Sequence, residues 1–259
     1  MKEPRLESSG NLPPGDWFEG PLGARVLREE AALAPKALED VFGFELLQIG
    51  AWGPARHLLD SARTQHTTLV APELSADVTL CSALDCLPFR SDSIDAILLP
   101  HTLELVEDPY AVLREAERVL TAEGCLVICG FNPVSGWGAR RMFAQYFGWP
   151  PFPPQTQRML SERRLRDWVA LLGFDVDSVR GYLGLLPLKG RAPKATDDPP
   201  RREPGTRPRA ALTAGAYLLK ARKRVQTLTL VRPKRRVRQR VLLPAVEPTT
   251  KVSMTPFEP

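Results

Sequence analysis

The sequence predicts an α/β fold in which a mostly parallel sheet is covered by helices on both faces. Short apolar or β-branched runs, such as residues 67–71 and 94–99, have the length and composition of strands. Amphipathic helical patterns alternate with these runs, most clearly at 109–120. The apolar runs are nearly continuous, which is typical of parallel strands buried on both faces.

The strands follow one another at short intervals along the chain. The run 44–49 leads into a loop that contains glycine, and 94–99 is bounded by Ser-Asp-Ser before it and by Pro-His after it. Strands are predicted at residues 44–49, 67–71, 78–81, 94–99, 124–130, 174–179 and 215–225. Ligands of parallel sheets bind beyond the carboxyl ends of the strands, so the loops at those ends are the expected location of the site.

The helices are predicted from apolar stripes and from capping residues. Asp108 and Ser161 stand where N-caps are expected, and Pro35 should kink or divide the first helix. Trp17 and Phe18 are aromatic anchors in an irregular segment that precedes this helix. Helices are predicted at residues 24–41, 55–63, 109–120, 135–146 and 161–172.

The net charge of +5 averages two unlike parts of the chain. From Lys189 onward, 18 Lys and Arg stand against 5 Asp and Glu, whereas the first 188 residues hold 17 and 25. The basic runs at 220–225 and 232–240 predict weak contact with nucleic acid or with an anionic membrane surface. The alternative interpretation is a solvated tail that has no specific partner.

Composition argues against several classes of protein. Hydrophobic residues make up 43% of the chain, which suits a buried core, but no apolar run has the roughly 18–20 residues that span a bilayer. The first residues lack the apolar segment of a secretory signal, so we expect a cytoplasmic protein. Cys81, Cys86, Cys125 and Cys129 lack the spacing of a zinc site and are expected to be small residues of buried strands.

An ordered series of short motifs runs from residue 84 to residue 130. It comprises Leu87-Pro88-Phe89, a Ser-Asp-Ser turn, Ile94-Asp95, an apolar strand, Leu103-Glu104 with Val106, Asp108-Pro109, a helix, and the turn 120–124 before another apolar strand. This series resembles the core of class I S-adenosylmethionine (SAM)-dependent methyltransferases of the methyltransferase type 11 kind. The resemblance covers about residues 44–188, with 210–225 similar to the last strand of that family. It implies a Rossmann-like, mostly parallel seven-stranded sheet with an antiparallel last strand.

The resemblance also implies a cofactor, SAM, and the residues that hold it. Gly50, Ala51, Trp52 and Gly53 occupy the loop whose backbone amides bind the methionine end of the cofactor in this family. Gln48 stands where the family usually has an acidic residue, and Trp52 replaces the middle glycine of the loop. The Trp52 indole either stacks on the cofactor or fills the space that the glycine would leave.

The remaining cofactor contacts are expected at the ends of the next strands. Glu73, displaced slightly beyond the second strand, is the candidate partner of the ribose hydroxyls. Asp85 and Leu87 are expected to flank the adenine, and Pro100 ends the fourth strand of the crevice.

Two residues at the rim of the site are the catalytic candidates. His101 follows the fourth strand, where an imidazole of near-neutral pKa suits removal of a proton from the nucleophile to be methylated. The alternative is a polar residue that bonds a neighbouring loop. Asn132 follows the fifth strand and either binds substrate or forms a turn before Pro133.

These features predict a SAM-dependent methyltransferase that methylates an O, N or C atom of a small molecule. The alternative is a non-catalytic binding module of the same fold that engages RNA or a protein through its basic C-terminal region. We divide the chain into a lead-in and helix (1–43), a methyltransferase-like core (44–188), a Pro- and Arg-rich loop (189–209), a returning strand (210–225) and a basic, largely disordered tail (226–259).

Overall fold

The computed structural model describes residues 15–54, 56–147, 156–184 and 214–224, which all belong to one compact unit spanning residues 1–225. The strands of this part are β1 (Glu45–Ile49), β2 (His66–Ala71), β3 (Leu80–Cys81), β4 (Ile94–Pro100), β5 (Leu120–Phe131), β6 (Phe174–Tyr182) and β7 (Ala216–Lys223). The tail predicted at 226–259 and the loop at 189–209 lie outside the described residues.

The seven strands form one sheet in the order β3-β2-β1-β4-β5-β7-β6. The first five strands pair in parallel, whereas β7 runs antiparallel to both β5 and β6. The predicted fold class is therefore confirmed, including the antiparallel last strand. Each predicted strand is present, although β5 and β6 are longer and β3 is shorter than the sequence pattern indicated.

Helices lie at α1 (Gly15–Glu19), α2 (Pro21–Leu38), α3 (Thr102–Leu105), α4 (Pro109–Val119), α5 (Gly136–Phe147) and α6 (Glu162–Leu171). The predicted caps are confirmed, since Asp108 accepts from the amides of Tyr110 and Ala111 and Ser161 accepts from that of Arg164. Helix α2 runs through Pro35 without dividing, because the exposed ring lies only three residues before the helix ends.

The helix predicted at 55–63 is wrong for the described part of that segment. Residues 56–61 form turns, in which the amide of Leu59 donates to the carbonyl of Arg56 and that of Ala62 to Leu59. These i to i+3 bonds are tighter than those of an α-helix. The short helices α1 and α3 were not predicted from the pattern.

The core lies on both faces of the sheet, as parallel strands require. One face packs against α2, with Val26, Leu46 and Leu98 in the same cluster. The other face packs against α4 and α6, with Leu47, Leu113 and Val169 together. Within the described ranges, no helix combines the length and the apolar character that a membrane span needs.

The predicted basic run at 220–225 lies mostly in β7, and its charges are paired. Lys220 bonds Asp40, and Lys223 lies 3.0 Å from Asp92. Arg222 lies 3.2 Å from Asp177 and Arg224 bonds Glu123. These pairs neutralise much of the positive charge that the sequence predicted for contact with anions. The second basic run, 232–240, lies outside the described residues.

Candidate functional site

The carboxyl ends of four neighbouring parallel strands meet at one edge of the sheet. Ile49 of β1 pairs with Val70 of β2, and Ala71 of β2 pairs with Cys81 of β3. On the other side of β1, Gln48 pairs with Leu98 of β4. Neighbouring strands lie about 5 Å apart. The loops that carry the predicted site residues therefore leave the sheet side by side.

The loop after β1 depends on two glycines with left-handed backbone conformations. Gly50 has φ +92° and Gly53 has φ +74°. A Cβ added at Gly50 would lie 2.5 Å from the hydroxyl of Thr102, which itself donates to the carbonyl of Ile49. A side chain at Gly50 would consequently disturb the packing of the protein as well as the surface of the loop.

Several polar groups in and beside this loop have no hydrogen-bond partner in the part of the chain that the structure describes. The backbone amides of Ala51, Trp52 and Gly53 meet no hydrogen-bond acceptor among the described residues. The Gln48 amide nitrogen donates to the carbonyl of Gly50 at 3.1 Å, whereas its buried Oε1 has no partner in the same part of the chain. Donors for a carboxylate and an acceptor for an ammonium thus stand next to each other, which fits the amino-acid end of SAM.

The Trp52 side chain belongs to the protein core. Its indole is only 1% exposed and lies among Trp17, Phe18 and Phe131. Its ring centroid is 4.3 Å from that of His101. Of the two interpretations from the sequence, the geometry favours an aromatic that fills space, and the aromatic anchors of the N-terminal segment dock on it. Because the indole is buried in the core, only the backbone of Trp52 contributes to the loop after β1.

A buried cluster of polar side chains lies directly behind Trp52. His101 has no exposed surface; its Nε2 is 2.7 Å from Oε1 of Glu30, and its Nδ1 is 2.9 Å from Oε2 of Glu104. The Tyr182 hydroxyl donates to Glu30 at 2.8 Å, and the Trp52 indole N–H donates to the other oxygen of Glu30 at 2.9 Å. Helices α2 and α3, strand β6, the residue that joins β4 to α3 and the loop after β1 converge on this cluster.

The carboxylates on both sides of the imidazole determine its protonation. Burial by itself lowers the pKa of His101, but the charges and hydrogen bonds of Glu30 and Glu104 outweigh burial and raise the pKa to about 9. Burial raises the pKa of Glu104, although His101 and the amide of Phe131, which donates to Glu104 at 2.5 Å, oppose the rise. At neutral pH His101 is therefore an imidazolium held between two carboxyl groups.

The other predicted cofactor residues lie at or just beyond the ends of β2, β3 and β4. Glu73 and Asp85 are exposed on the loops that follow β2 and β3, so their carboxylates are accessible to the ribose and the adenine of a ligand that binds from solvent. Leu87 is 4% exposed, and its amide donates to Glu115 at 2.7 Å. Pro100 is buried at the end of β4. The side chains of Glu73 and Asp85 are therefore accessible to a ligand, whereas Leu87 and Pro100 are buried.

Asn132 is 4% exposed and stabilises the turn after β5. Its Nδ2 donates to the carbonyl of Ala214 at 3.1 Å, and its Oδ1 accepts from the amide of Val134 at 3.0 Å. These bonds correspond to the turn interpretation from the sequence. A contact with substrate remains a prediction for this residue.

Glu30 and Tyr182 were missed at the sequence level. Glu30 lies four residues after Val26 and four before Ala34, which are both buried, so an acidic residue interrupts an apolar stripe of α2. This acidic residue within an apolar stripe was the sequence signal from which the burial of Glu30 could have been predicted. Tyr182, at the end of β6, carried no signal because its partners are distant in sequence.

A surface cleft of about 210 Å³ lies elsewhere, between the end of α2 and strands β6 and β7. Its wall includes Asp40, Asp177 and Lys220, whose charges are involved in the pairs described above. The cleft is lined by none of the predicted site residues.

Comparison with known proteins finds similarity over part of the chain. A model of the methyltransferase domain matches residues 49–128. The Escherichia coli K12 protein YafS is 37% identical over 163 residues, which are 63% of this chain and 66% of YafS. Demethylmenaquinone methyltransferase of Mycolicibacterium paratuberculosis is 30% identical over 102 residues, 39% of this chain and 42% of that enzyme. Each match thus spans less than two thirds of the relative's own length.

Solved structures share the fold at low identity. A SAM-dependent methyltransferase from Archaeoglobus fulgidus superposes with a TM-score of 0.54 and 14% identity, over 80% of this chain and 98% of that one. The strand order of the sheet, the glycine-containing loop after β1 and the match to the methyltransferase domain all indicate the same fold. The described part of the chain therefore has the fold of class I SAM-dependent methyltransferases, and residues 49–128 match the model of a methyltransferase domain, which implies S-adenosyl-L-methionine as the cofactor.

Proposed function

We propose that the protein transfers the methyl group of SAM to an O, N or C nucleophile of a small molecule. The observation that carries the proposal is a set of polar groups at the end of β1 that find no partner among the described residues, namely the amides of residues 51–53 and Oε1 of Gln48. They lie at the sheet edge that also carries the exposed Glu73 and Asp85. A relative that shares a 102-residue segment, demethylmenaquinone methyltransferase, supports a small-molecule substrate.

The residues of the crevice would divide the binding of SAM among them. The loop 50–53 would hold the methionine carboxylate through its amides, and Gln48 would accept from the ammonium group. Glu73 would bond the ribose hydroxyls, and Asp85 with Leu87 would flank the adenine. Bound SAM would supply an electrophilic methyl group: the nucleophile would bond to the methyl carbon, and the sulfonium sulfur would leave in line with the bonding electrons as a neutral thioether.

The protein's own contribution is to position the reactants and to exclude water. Pro100 would form the wall at the end of β4, and Asn132 would lie on the substrate side. His101 could remove a proton only as a neutral imidazole, and its pKa of about 9 means that this form becomes abundant only near that pH. At neutral pH the imidazolium would serve as a fixed positive charge behind the loop.

The non-catalytic alternative is not favoured. It depended on the basic C-terminal region, and the basic residues of that region that the structure describes, in β7, pair with acidic side chains. Gln48 and Trp52 depart from the family pattern in their side chains only. The backbone amides of residues 51–53 still meet no acceptor among the described residues.

Titration calorimetry of the full chain with SAM tests the proposal. We expect binding, and we expect Glu73→Gln to weaken it about 10- to 100-fold, because a hydrogen bond to a charged group contributes about 1.5–3 kcal/mol. Asp77→Asn, an equally exposed change in the same loop, should bind SAM like the unmodified chain. The proposal fails if millimolar SAM gives neither heat nor a rise in melting temperature.

A further inference from the structure

Helix α2 brings a carboxylate into the core next to the proposed SAM loop. Glu30 is 1% exposed and lies outside the segment that matches the methyltransferase domain. Both of its oxygens have donors, because Trp52 donates to Oε2 while Tyr182 and His101 lie at Oε1. These donors offset the cost of burying the charge.

Besides Tyr182, Glu30 contacts two residues in the segments that follow β1 and β4. Trp52 is part of the loop 50–53, in which the amides of residues 51–53 meet no acceptor among the described residues. His101 immediately follows β4 and has φ +54°, a left-handed conformation that is uncommon for a residue with a side chain. Such a conformation persists when surrounding contacts enforce it, and here both ring nitrogens are held by carboxylates.

We propose that Glu30 is a positioning residue of the SAM site, which fixes Trp52 and His101 so that the amides of residues 51–53 stay clear of acceptors from the described part of the chain. This inference rests on the proposed function. It makes helix α2 a component of the binding site, because without its carboxylate neither the indole N–H nor the imidazolium Nε2–H has an ionic partner there. Glu30 does not touch the reacting atoms and acts through the two residues that it holds.

The groups that face the imidazole come from every element around it. They are Glu30 from α2, Glu104 from α3 and Tyr182 from β6, and Tyr182 also bonds the buried Cys129 of β5, whose pKa burial raises well above its usual value. Of these, the two glutamates stabilise the imidazolium. Removal of the charge of Glu30 therefore changes the titration of His101 as well as the position of its ring.

The variant Glu30→Gln tests the proposal because it keeps the shape of the side chain and removes its charge. Titration of the ring protons by NMR should show the pKa of His101 falling by at least one unit from about 9. The chain has three histidines, so a His101→Gln spectrum assigns the signal. The Kd for SAM, measured by calorimetry, should be at least tenfold higher for Glu30→Gln than for the unmodified chain.

Glu39→Gln is the matched control, since this exposed glutamate caps the end of the same helix and has no contact with the cluster. It should change neither the titration nor the Kd. A folded Glu30→Gln protein whose Kd for SAM stays within twofold of the unmodified chain overturns the positioning role, even if its melting temperature falls.

A second variant applies if Glu30→Gln does not fold. Trp52→Phe retains an aromatic ring but removes the N–H that Glu30 accepts, and it should raise the Kd for SAM at least threefold. An unchanged Kd would overturn the inference. Failure of the unmodified chain to bind SAM would instead overturn the proposed function, and the His101 titration would still show whether Glu30 charges the imidazole.

Discussion

At the scale of single residues, the charge of His101 connects the site to the stability of the whole chain. The imidazole is fully buried between Glu30 and Glu104, and it is stable there only as a cation. A neutral imidazole would donate to only one of the two carboxylates and would turn the lone pair of its other ring nitrogen toward an oxygen of the second. Loss of the proton therefore costs folding free energy in addition to changing the chemistry of the site.

This charge predicts that stability falls as the solution becomes alkaline. The pKa of His101 rises from 6.5 to about 9 on folding, so its contribution is complete below pH 6.5 and disappears as the pH passes 9. The contribution is about 3 kcal/mol, since each pKa unit corresponds to about 1.4 kcal/mol. Urea unfolding between pH 6 and pH 10 measures it.

His101→Gln should flatten this dependence on pH, while His66→Gln, at an exposed position at the start of β2, should leave it intact. Equal slopes for the unmodified chain and His101→Gln would contradict the assignment of a buried imidazolium.

At the scale of elements, capping and neighbouring turns determine where the helices of this fold begin. Helix α4 begins at Pro109, and Asp108 accepts from two amides of its first turn at 3.0 and 3.1 Å. The sequence indicated this helix with its cap because all of the interactions are local. By contrast, the segment before β2 has helical composition but forms turns, because it must return to the sheet within a few residues.

Asp108→Ala should destabilise the protein by about 1 kcal/mol, since it removes an N-cap whose side chain has no other role in the core. Thermal unfolding monitored by circular dichroism measures the loss. Glu107→Ala, the adjacent exposed change, keeps the cap and should fall within about 0.5 kcal/mol of the unmodified chain. Equal effects of the two changes would show that the cap contributes nothing.

At the scale of the whole molecule, the last strand lies inside the sheet. Strand β7 pairs with β5 on one side and with β6 on the other, and most of its residues are buried. Its Lys223 donates to the carbonyls of Glu117 and Leu120, which ties the strand to the end of α4. The sheet is therefore incomplete until residues far along the chain have been added.

A chain that ends at Pro208 should lose cooperative unfolding, because β5 and β6 would have no common neighbour. A chain that ends at Val225 keeps the compact unit of residues 1–225 and should melt within a few degrees of the full protein. Calorimetry of both chains tests the difference, and a cooperative transition in the shorter chain would contradict it.

The sequence by itself determined the order of the strands, four of the helices, the resemblance to a known family and the loops where a ligand is expected. Local signals sufficed for these features: apolar runs, caps such as Asp108, and the ordered motifs of residues 84–130. Composition also indicated that a basic C-terminal region follows a more acidic body, although it could not show that Lys220 and Lys223 of β7 are paired with acidic side chains.

Only the tertiary structure decided which side chains meet. Glu30 and Tyr182 are 152 residues apart, and each contacts His101, so no local pattern could join them. The same packing decided that the Trp52 indole is buried and that His101 carries a charge. It also decided that the amides of residues 51–53 meet no acceptor in the described part of the chain. Such features depend on contacts between distant segments, and folding alone brings those segments together.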